Sequence, residues 1–390
     1  MNIGIDKMSF YTPAFYVDMV ELAEARGIDP NKFTIGIGQD QMGFAPLSQD
    51  AVTMGANAAL NMLSTDDIAE IDLVIFASES GIDHSKAGAV YIHRLLGLPK
   101  NCRAIEFKEA CYAATAGLSY ARNHVAAHPT KKALVIGSDI ARYGLNTPGE
   151  PTQGAGAVAM LVAAEPRLLV LNDDNVYLTD DIMDFWRPLY SETACVQGKY
   201  STEQYIRFFN DVWEQYQANT KATLVDFAAL CFHLPYTKMG KKALDTIIET
   251  ASPEKAEALM AYYQLSTKYS RQIGNIYTGS LYLGVLSLLE HDETLMPGDR
   301  LGLFSYGSGA VGEFFSATLA PDFRKQLYTT AHAAQLQARK QLTIAAYEDL
   351  FVASLPTDGS TYQIDDSLDQ APIKLTGMSE HMRLYTNKSC

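Results

Sequence analysis

Cysteine is scarce and scattered in this chain of 390 residues: Cys102, Cys111, Cys195, Cys231 and Cys390, with no Cys-x-x-Cys pair. An odd, dispersed set argues against a disulfide framework and against a zinc cluster, and it fits a reducing compartment. Basic residues are outnumbered 45 to 31, for a net charge of −14. Such an average field repels phosphate, which excludes a whole-surface binder of nucleic acid or anionic membrane; a polyanionic ligand would require a local cationic pocket. Long apolar runs are missing too. The stretch from Leu281 to Leu289 is broken by Tyr282, Gly284 and Ser287, far short of the roughly 20 residues that span a bilayer. Residues 1–6 have neither the basic nor the apolar region of a secretory leader, so a cytoplasmic protein is expected. His124 and His128 stand four apart, but Val125-Ala126-Ala127 lacks the glutamate of a His-Glu-x-x-His site and no third ligand is near. With no Gly-x-x-x-x-Gly-Lys loop and no nucleic-acid module either, neither metal nor bound cofactor is expected.

What is present points to a folded α/β chain. Hydrophobic residues make up 47%, aromatics 10% and charged residues 19%, which excludes a disordered, coiled-coil or collagen-like protein. Short apolar runs at 71–77, 132–137, 157–163, 227–232, 300–305 and 311–315 read as buried strands, and 110–124 and 277–289 as helices. Gly154-Ala155-Gly156-Ala157-Val158 and Gly307-Ser308-Gly309-Ala310-Val311 echo each other about half a chain apart. Two Gly-rich turns can be alike by chance, but strand, helix, strand, Gly-rich turn and strand follow in the same order in both stretches, which favours internal duplication. The expected organisation is one half over 1–165 and another over 166–390. The second half is interrupted by an insertion over 172–217, with an amphipathic helix at 205–216. It ends in a tail that is helical to about residue 354 and then polar.

Few residues offer chemistry. Cys111, in Lys108-Glu109-Ala110-Cys111-Tyr112, precedes small residues suited to a packed helix. A helix N-terminus there would favour the thiolate, and its N–H groups could hold an oxyanion; the alternative is a buried, inert thiol, the reading given to the other four cysteines. Glu79 follows the first apolar strand, where open α/β sheets build their sites and partial burial tunes a carboxylate toward general acid–base work. It can equally be a solvated surface acid. His233 takes the same place after the strand at 227–232, or is a satisfied structural histidine. Asn275 opens the second-half helix, as a site residue or as a plain N-cap. Lys238, Lys241 and Lys242 crowd the expected start of a helix, where phosphates would offset the unfavourable dipole, unless they form a solvated basic face.

Taken together, these motifs resemble the thiolase superfamily, in which two similar halves contribute strand-end and helix-start residues to one active site. More narrowly, the chain is similar to bacterial-type 3-hydroxy-3-methylglutaryl-CoA synthases from Ile3 to about Leu350. The likeness is densest at Gly36-Ile37-Gly38-Gln39-Asp40-Gln41, Lys108-Glu109-Ala110-Cys111-Tyr112, Glu150-Pro151-Thr152-Gln153-Gly154, Asp184-Phe185-Trp186-Arg187-Pro188, His233-Leu234-Pro235-Tyr236-Thr237-Lys238 and Gly302 to Gly309. The resemblance implies a thiolase-like fold, a homodimer, CoA thioesters as substrates, and Cys111, Glu79 and His233 as nucleophile, base and imidazole of a Claisen-like condensation. It places Tyr143, Thr152, Phe185, Ser201 and Asn275 around the acyl group and substrate, Ser308 in an oxyanion hole, and Asp29, Lys238 and Lys242 toward CoA. Two competitors remain: a β-ketoacyl carrier-protein synthase, for which Cys111, His233 and Asn275 would suffice without Glu79, and a non-catalytic scaffold.

Overall fold

The buried apolar runs join a single mixed sheet of ten strands. The computed structural model describes residues 1–191 and 193–388; Cys390 lies outside them. The strands are β1 (Ile3–Tyr11), β2 (Ile71–Ala77), β3 (Arg103–Phe107), β4 (Lys132–Ala141), β5 (Gly154–Ala164), β6 (Leu169–Leu171), β7 (Val176–Thr179), β8 (Ala229–Phe232), β9 (Arg300–Gly307) and β10 (Val311–Leu319). Their order is β8-β9-β10-β6-β1-β5-β4-β2-β3, with β7 beside β10. One pairing pattern occurs twice. β2 runs parallel to β4, β4 antiparallel to β5 and β5 antiparallel to β1; likewise β8 to β9, β9 to β10 and β10 to β6. The two echoing pentapeptides are not equivalent within it. Gly154–Val158 lies inside β5, whereas Ser308–Ala310 form the turn between β9 and β10.

Side-chain alternation puts two cores on the two faces of each strand. Leu73, Ile75 and Ala77 face a central core and Val74 and Phe76 an outer one; Val135 and Leu134 divide in the same way. The central core is filled by helices α3 (Ala113–Ala127) and α6 (Ser280–His291). Outside lie α1 (Ala51–Leu60) and α2 (Gly88–Leu95) over the first sheet segment, and α4 (Gly198–Thr220) and α5 (Met239–Leu244) over the second. α4 is longer than its expected span, and Tyr205, Phe208, Phe209, Val212, Trp213 and Tyr216 form its buried stripe. The insertion is not wholly outside the sheet either, since it supplies β7.

At the seam between the two segments β1 meets β6 at only two register pairs, Gly4↔Val170 and Ile5↔Leu169. A Cβ on Gly4 would lie 2.0 Å from the Leu169 carbonyl oxygen. Beyond the seam, side chains of α7 (Thr329–Gln337) replace a neighbouring strand: the Phe10 N–H donates to His332 Nε2 at 3.4 Å and the Thr12 N–H to Gln335 Oε1 at 3.0 Å.

The tail departs from expectation. After α8 (Ile344–Val352) the chain builds a three-stranded sheet from β11 (Tyr362–Gln363), β12 (Ile373–Ser379) and β13 (Met382–Asn387). Ile373 and Leu375 are fully buried against the first half, and Arg383 and Tyr385 both bond Asp50 at the start of α1 (3.0 and 2.6 Å). Among the described residues no helix is long and apolar enough to cross a membrane.

Candidate active site

Glu79 stands two residues beyond β2, on a loop that hangs from one buried acid. Asp139 Oδ1 accepts the N–H groups of Glu79 (2.8 Å) and Ser80 (2.9 Å) and the hydroxyls of Ser78 (3.0 Å) and Ser80 (2.9 Å). Its Oδ2 accepts the N–H (3.1 Å) and hydroxyl (2.6 Å) of Thr278, just before α6. Asp139 therefore ties the loop that carries Glu79 to the turn that leads into α6. Sequence reasoning missed it; the available signal is an acid inside the apolar run of β4, which burial obliges to find partners. Arg187 donates to the carbonyl of Glu79.

Cys111 donates its thiol proton to Glu79 Oε1 at 3.1 Å. Both side chains keep part of their surface open, yet their surroundings are dense. Burial first, then the neighbouring Glu79 carboxylate, push the thiol well above its ordinary value. This overturns the expected helix-stabilised thiolate: α3 begins only at Ala113, so Cys111 lies outside its first turn, and desolvation together with a like charge outweighs the dipole. Burial and Asp139 likewise raise Glu79 to about 8, while the Cys111 hydrogen bond and Arg187 oppose them. The other described thiols offer no such partner. Burial lifts Cys102 to about 11 and Cys231 to about 12, and Cys195 is exposed.

His233 follows β8 and is 2% exposed. Its Nδ1 has no hydrogen-bond partner among the described residues, and burial lowers its pKa to about 3, so the imidazole is neutral. The neighbouring strand β9 reaches the Cys111 loop: a Cβ on its last residue, Gly307, would lie 2.6 Å from the Glu109 carbonyl and 2.7 Å from the Tyr112 nitrogen. Only glycine allows that approach of the Ser308 turn to the Cys111 loop. The turn is fixed from the insertion by Asp184, which accepts the Gly309 N–H (2.9 Å), the Tyr306 hydroxyl (2.8 Å) and, at 3.3 Å, the hydroxyl of Ser201.

Asn275 is not the N-cap of α6, a place held by Gly279; its Oδ1 accepts from the Tyr277 N–H at 2.8 Å in a local turn and from the Ser280 hydroxyl at 3.0 Å, and its side chain also meets the Tyr143 phenol. Tyr143, Phe185 and Tyr277 form an aromatic triangle, with ring centroids 6.0 to 6.2 Å apart, beside Glu79 and Cys111; burial above all raises both tyrosines. Tyr277 was not singled out from sequence; its backbone φ of 45° marks it as special. Thr152 is half-buried and donates to the Gly149 carbonyl at 2.8 Å.

The lysines separate. Lys238 is at the start of the six-residue α5, but Lys241 and Lys242 are in its last turn, which corrects the expected crowding of three cations at a helix start. Lys241 pairs with Asp245 at 2.6 Å, and Lys242 donates to the Tyr236 hydroxyl at 2.8 Å. The Lys238 N–H donates to the Ile37 carbonyl at 3.1 Å, which joins it to the turn 32–37 that follows exposed Asp29. Among the described residues no three His, Cys, Asp or Glu side chains are placed to hold a metal ion.

A thiol sharing a proton with a buried carboxylate at the junction of two sheet segments is a site for acyl transfer followed by proton abstraction. Comparisons with known proteins agree. The family model described as hydroxymethylglutaryl-coenzyme A synthase N terminal matches residues 1–166, and its C-terminal counterpart matches 254–354. A hydroxymethylglutaryl-CoA synthase of Enterococcus faecalis is 53% identical, over 99% of this chain and 100% of its own. A polyketide biosynthesis 3-hydroxy-3-methylglutaryl-ACP synthase of Bacillus subtilis is 32% identical, over 99% and 96%. Of solved structures, an HMG-CoA synthase complexed with CoA superposes with a TM-score of 0.97 at 46% identity, covering 99% of this chain and 100% of that one. MvaS in complex with 3-hydroxy-3-methylglutaryl coenzyme A gives 0.87 at 34%, over 99% of each chain. This chain therefore belongs to the hydroxymethylglutaryl-CoA synthase family of thiolase-like, acyl-transferring condensing enzymes.

Proposed function

We propose that the protein condenses acetyl-CoA with acetoacetyl-CoA to give 3-hydroxy-3-methylglutaryl-CoA, a step of the mevalonate route to isoprenoids, and that Cys111, Glu79 and His233 carry it. Cys111 Sγ attacks the acetyl carbonyl as its proton passes to Glu79, and CoA leaves with a proton, so that Glu79 is again a carboxylate. Glu79 then removes a proton from the acetyl methyl, and the carbanion bonds to the ketone carbon of acetoacetyl-CoA. The neutral His233 ring serves the ketone oxygen, and the proton that Glu79 took from the methyl passes to that oxygen, which ends as a hydroxyl while Glu79 returns to a carboxylate. Water hydrolyses the Cys111 thioester, restoring the thiol. The N–H groups of Cys111 and Ser308 form the oxyanion hole, and Tyr143, Phe185 and Asn275, with Thr152 and Ser201 farther out, border the acyl group. Lys238 and Lys242 meet CoA phosphates, with Asp29 alongside.

The observation that carries this reading is the 3.1 Å thiol–carboxylate hydrogen bond. A decarboxylating β-ketoacyl synthase makes its carbanion without a base and has no use for Glu79. Incubation with acetyl-CoA and acetoacetyl-CoA, followed by mass identification of the product, tests it; release of CoA without a six-carbon acyl product would overturn it. The likeness to an ACP synthase favours a second reading, with an acyl carrier protein as acetyl donor. Acetylation of Cys111 by acetyl-CoA alone, at turnover rates, decides against that.

The same reading extends to assembly and place. Halves over 1–165 and 166–390 are supported by the repeated pairing pattern. A homodimer is supported by β3, a terminal strand whose free edge leads directly to Cys111 and could pair with a second copy. The four unpaired described cysteines fit a cytoplasmic location.

A further inference from the structure

The stretch from Tyr143 to Gln153 leaves β4 and returns into β5, and it carries two residues read as bordering the substrate. Two buried side chains hold its shape. Gln153 Oε1 accepts the N–H groups of Tyr143 (2.7 Å) and Gly144 (3.2 Å), and Glu150 Oε2 accepts that of Asn146 (2.9 Å). Both are gripped from outside the loop. The Tyr347 hydroxyl, on α8 and without solvent exposure, donates to Glu150 Oε1 at 3.1 Å and accepts from Gln153 Nε2 at 3.0 Å. Arg26 holds both oxygens of Glu150 (2.8 and 2.9 Å) and reaches Glu348 on α8 at 2.6 Å.

These bonds have only one consistent sense. A carboxylate only accepts, so the single phenolic proton of Tyr347 goes to Glu150 and its lone pair takes an amide proton from Gln153. That fixes the amide with its oxygen toward the Tyr143 N–H. Without the hydroxyl, Gln153 is free to turn and present a donor to a donor. We propose that Tyr347 is a positioning residue: acting through Glu150 and Gln153, it sets Tyr143 at the acyl site from a helix near the other end of the chain. This rests on the reading that Tyr143 borders the acyl group.

The test compares Tyr347→Phe, Tyr143→Phe and the double variant. Phe keeps the ring that packs edge-on to Phe44 at 5.5 Å. Tyr347→Phe should lower kcat by about 3- to 30-fold, the range of network effects on a distant site, with KM for acetyl-CoA changed less than about twofold. In the Tyr143→Phe background it should cause no further loss, because residues that act through one another are not additive. An unchanged kcat in Tyr347→Phe, or the same fold-loss in both backgrounds, would overturn the proposal while leaving Tyr143 at the site. Full activity in Tyr143→Phe would instead remove the reading beneath it, and the proposal with it. Should Tyr347→Phe fail to fold, Arg26→Lys, which gives up one of the two contacts to Glu150, carries the same comparison.

Discussion

Glu79 has neighbours that pull its proton affinity in opposite directions, and this separates its two tasks. Burial and Asp139 hold the proton on, whereas Arg187 and the Cys111 hydrogen bond draw it off. Glu79 is in turn one of the causes that keep the Cys111 thiol protonated. Removing the carboxylate thus makes the thiol more acidic even as it deletes the base. Glu79→Ala should still become acetylated on Cys111, with condensation slower by roughly 10² to 10⁴, the usual worth of a general base. Intact-mass measurement of acetyl occupancy beside product formation checks this, with Cys111→Ala as the variant that loses both; equal loss of both in Glu79→Ala would mean that the thiol cannot give up its proton without the carboxylate, so that the two tasks do not separate. Glu79, Cys111 and His233 were legible in the sequence because each sits at a strand end or before a helix, a position that local pattern can mark. Asp139 and Tyr347 were not, since their partners are 59 to 197 residues away and nothing local announces them.

Among the elements, the short helix α5 and the tail sheet repay separate tests. With Lys241 committed to Asp245, Lys238 and Lys242 are the two of these three lysines left for the proposed CoA phosphates. Lys238→Ala with Lys242→Ala should raise KM for CoA substrates and spare kcat, since phosphate contacts bind ground and transition states alike; steady-state kinetics in which only kcat fell would oppose a phosphate pocket. In the tail sheet, buried Ile373 fills the face beside α1. Ile373→Ala should cost about 2–5 kcal/mol, as deletion of a buried aliphatic does, in chemical denaturation, with KM unchanged. This sheet escaped the sequence reading for a physical reason. One face is solvated, its strands are broken by polar residues, and β11 has only two residues, so neither an apolar run nor a long alternation appears. Of the sheet strands buried on both faces, β2 was legible to the residue, while β4 and β9 were legible at their starts and run on to Ala141 and Gly307.

For the molecule as a whole, two of the three groups proposed for the chemistry, Glu79 and His233, work against stability from opposite sides. Glu79 is raised from 4.5 to about 8, so the folded state binds its proton more tightly than the unfolded one. Its contribution is complete below pH 4.5 and is lost as pH rises through 8. His233 is lowered from 6.5 to about 3; the unfolded chain takes up that proton first, and stability is lost as pH falls from 6.5 toward 3. Thermal stability should therefore be greatest at mildly acidic pH, whereas condensation, which needs the Glu79 carboxylate, should rise with pH up to about 8. Glu79→Gln should flatten the alkaline decline, raising Tm at pH 8 by roughly 3 °C or more relative to pH 5. Melting curves across that range would contradict this if the variant and the parent fell in parallel.

The seam at Gly4 bears on how such a chain can change over time. Two sheet segments, each with its own helices, adjoin across two residue pairs, and the closeness of that join is set by one hydrogen atom where any other residue would place carbon 2.0 Å from the Leu169 oxygen. Gly4→Ala should therefore act far out of proportion to one methyl group, lowering soluble yield and Tm more than the same change at Gly27, where a Cβ would meet nothing within 4 Å but the φ is positive. Replacement at Glu79 or Cys111 is expected to show first in rate; at position 4, where the backbones approach too closely for any side chain, drift in sequence is expected to show first in folding.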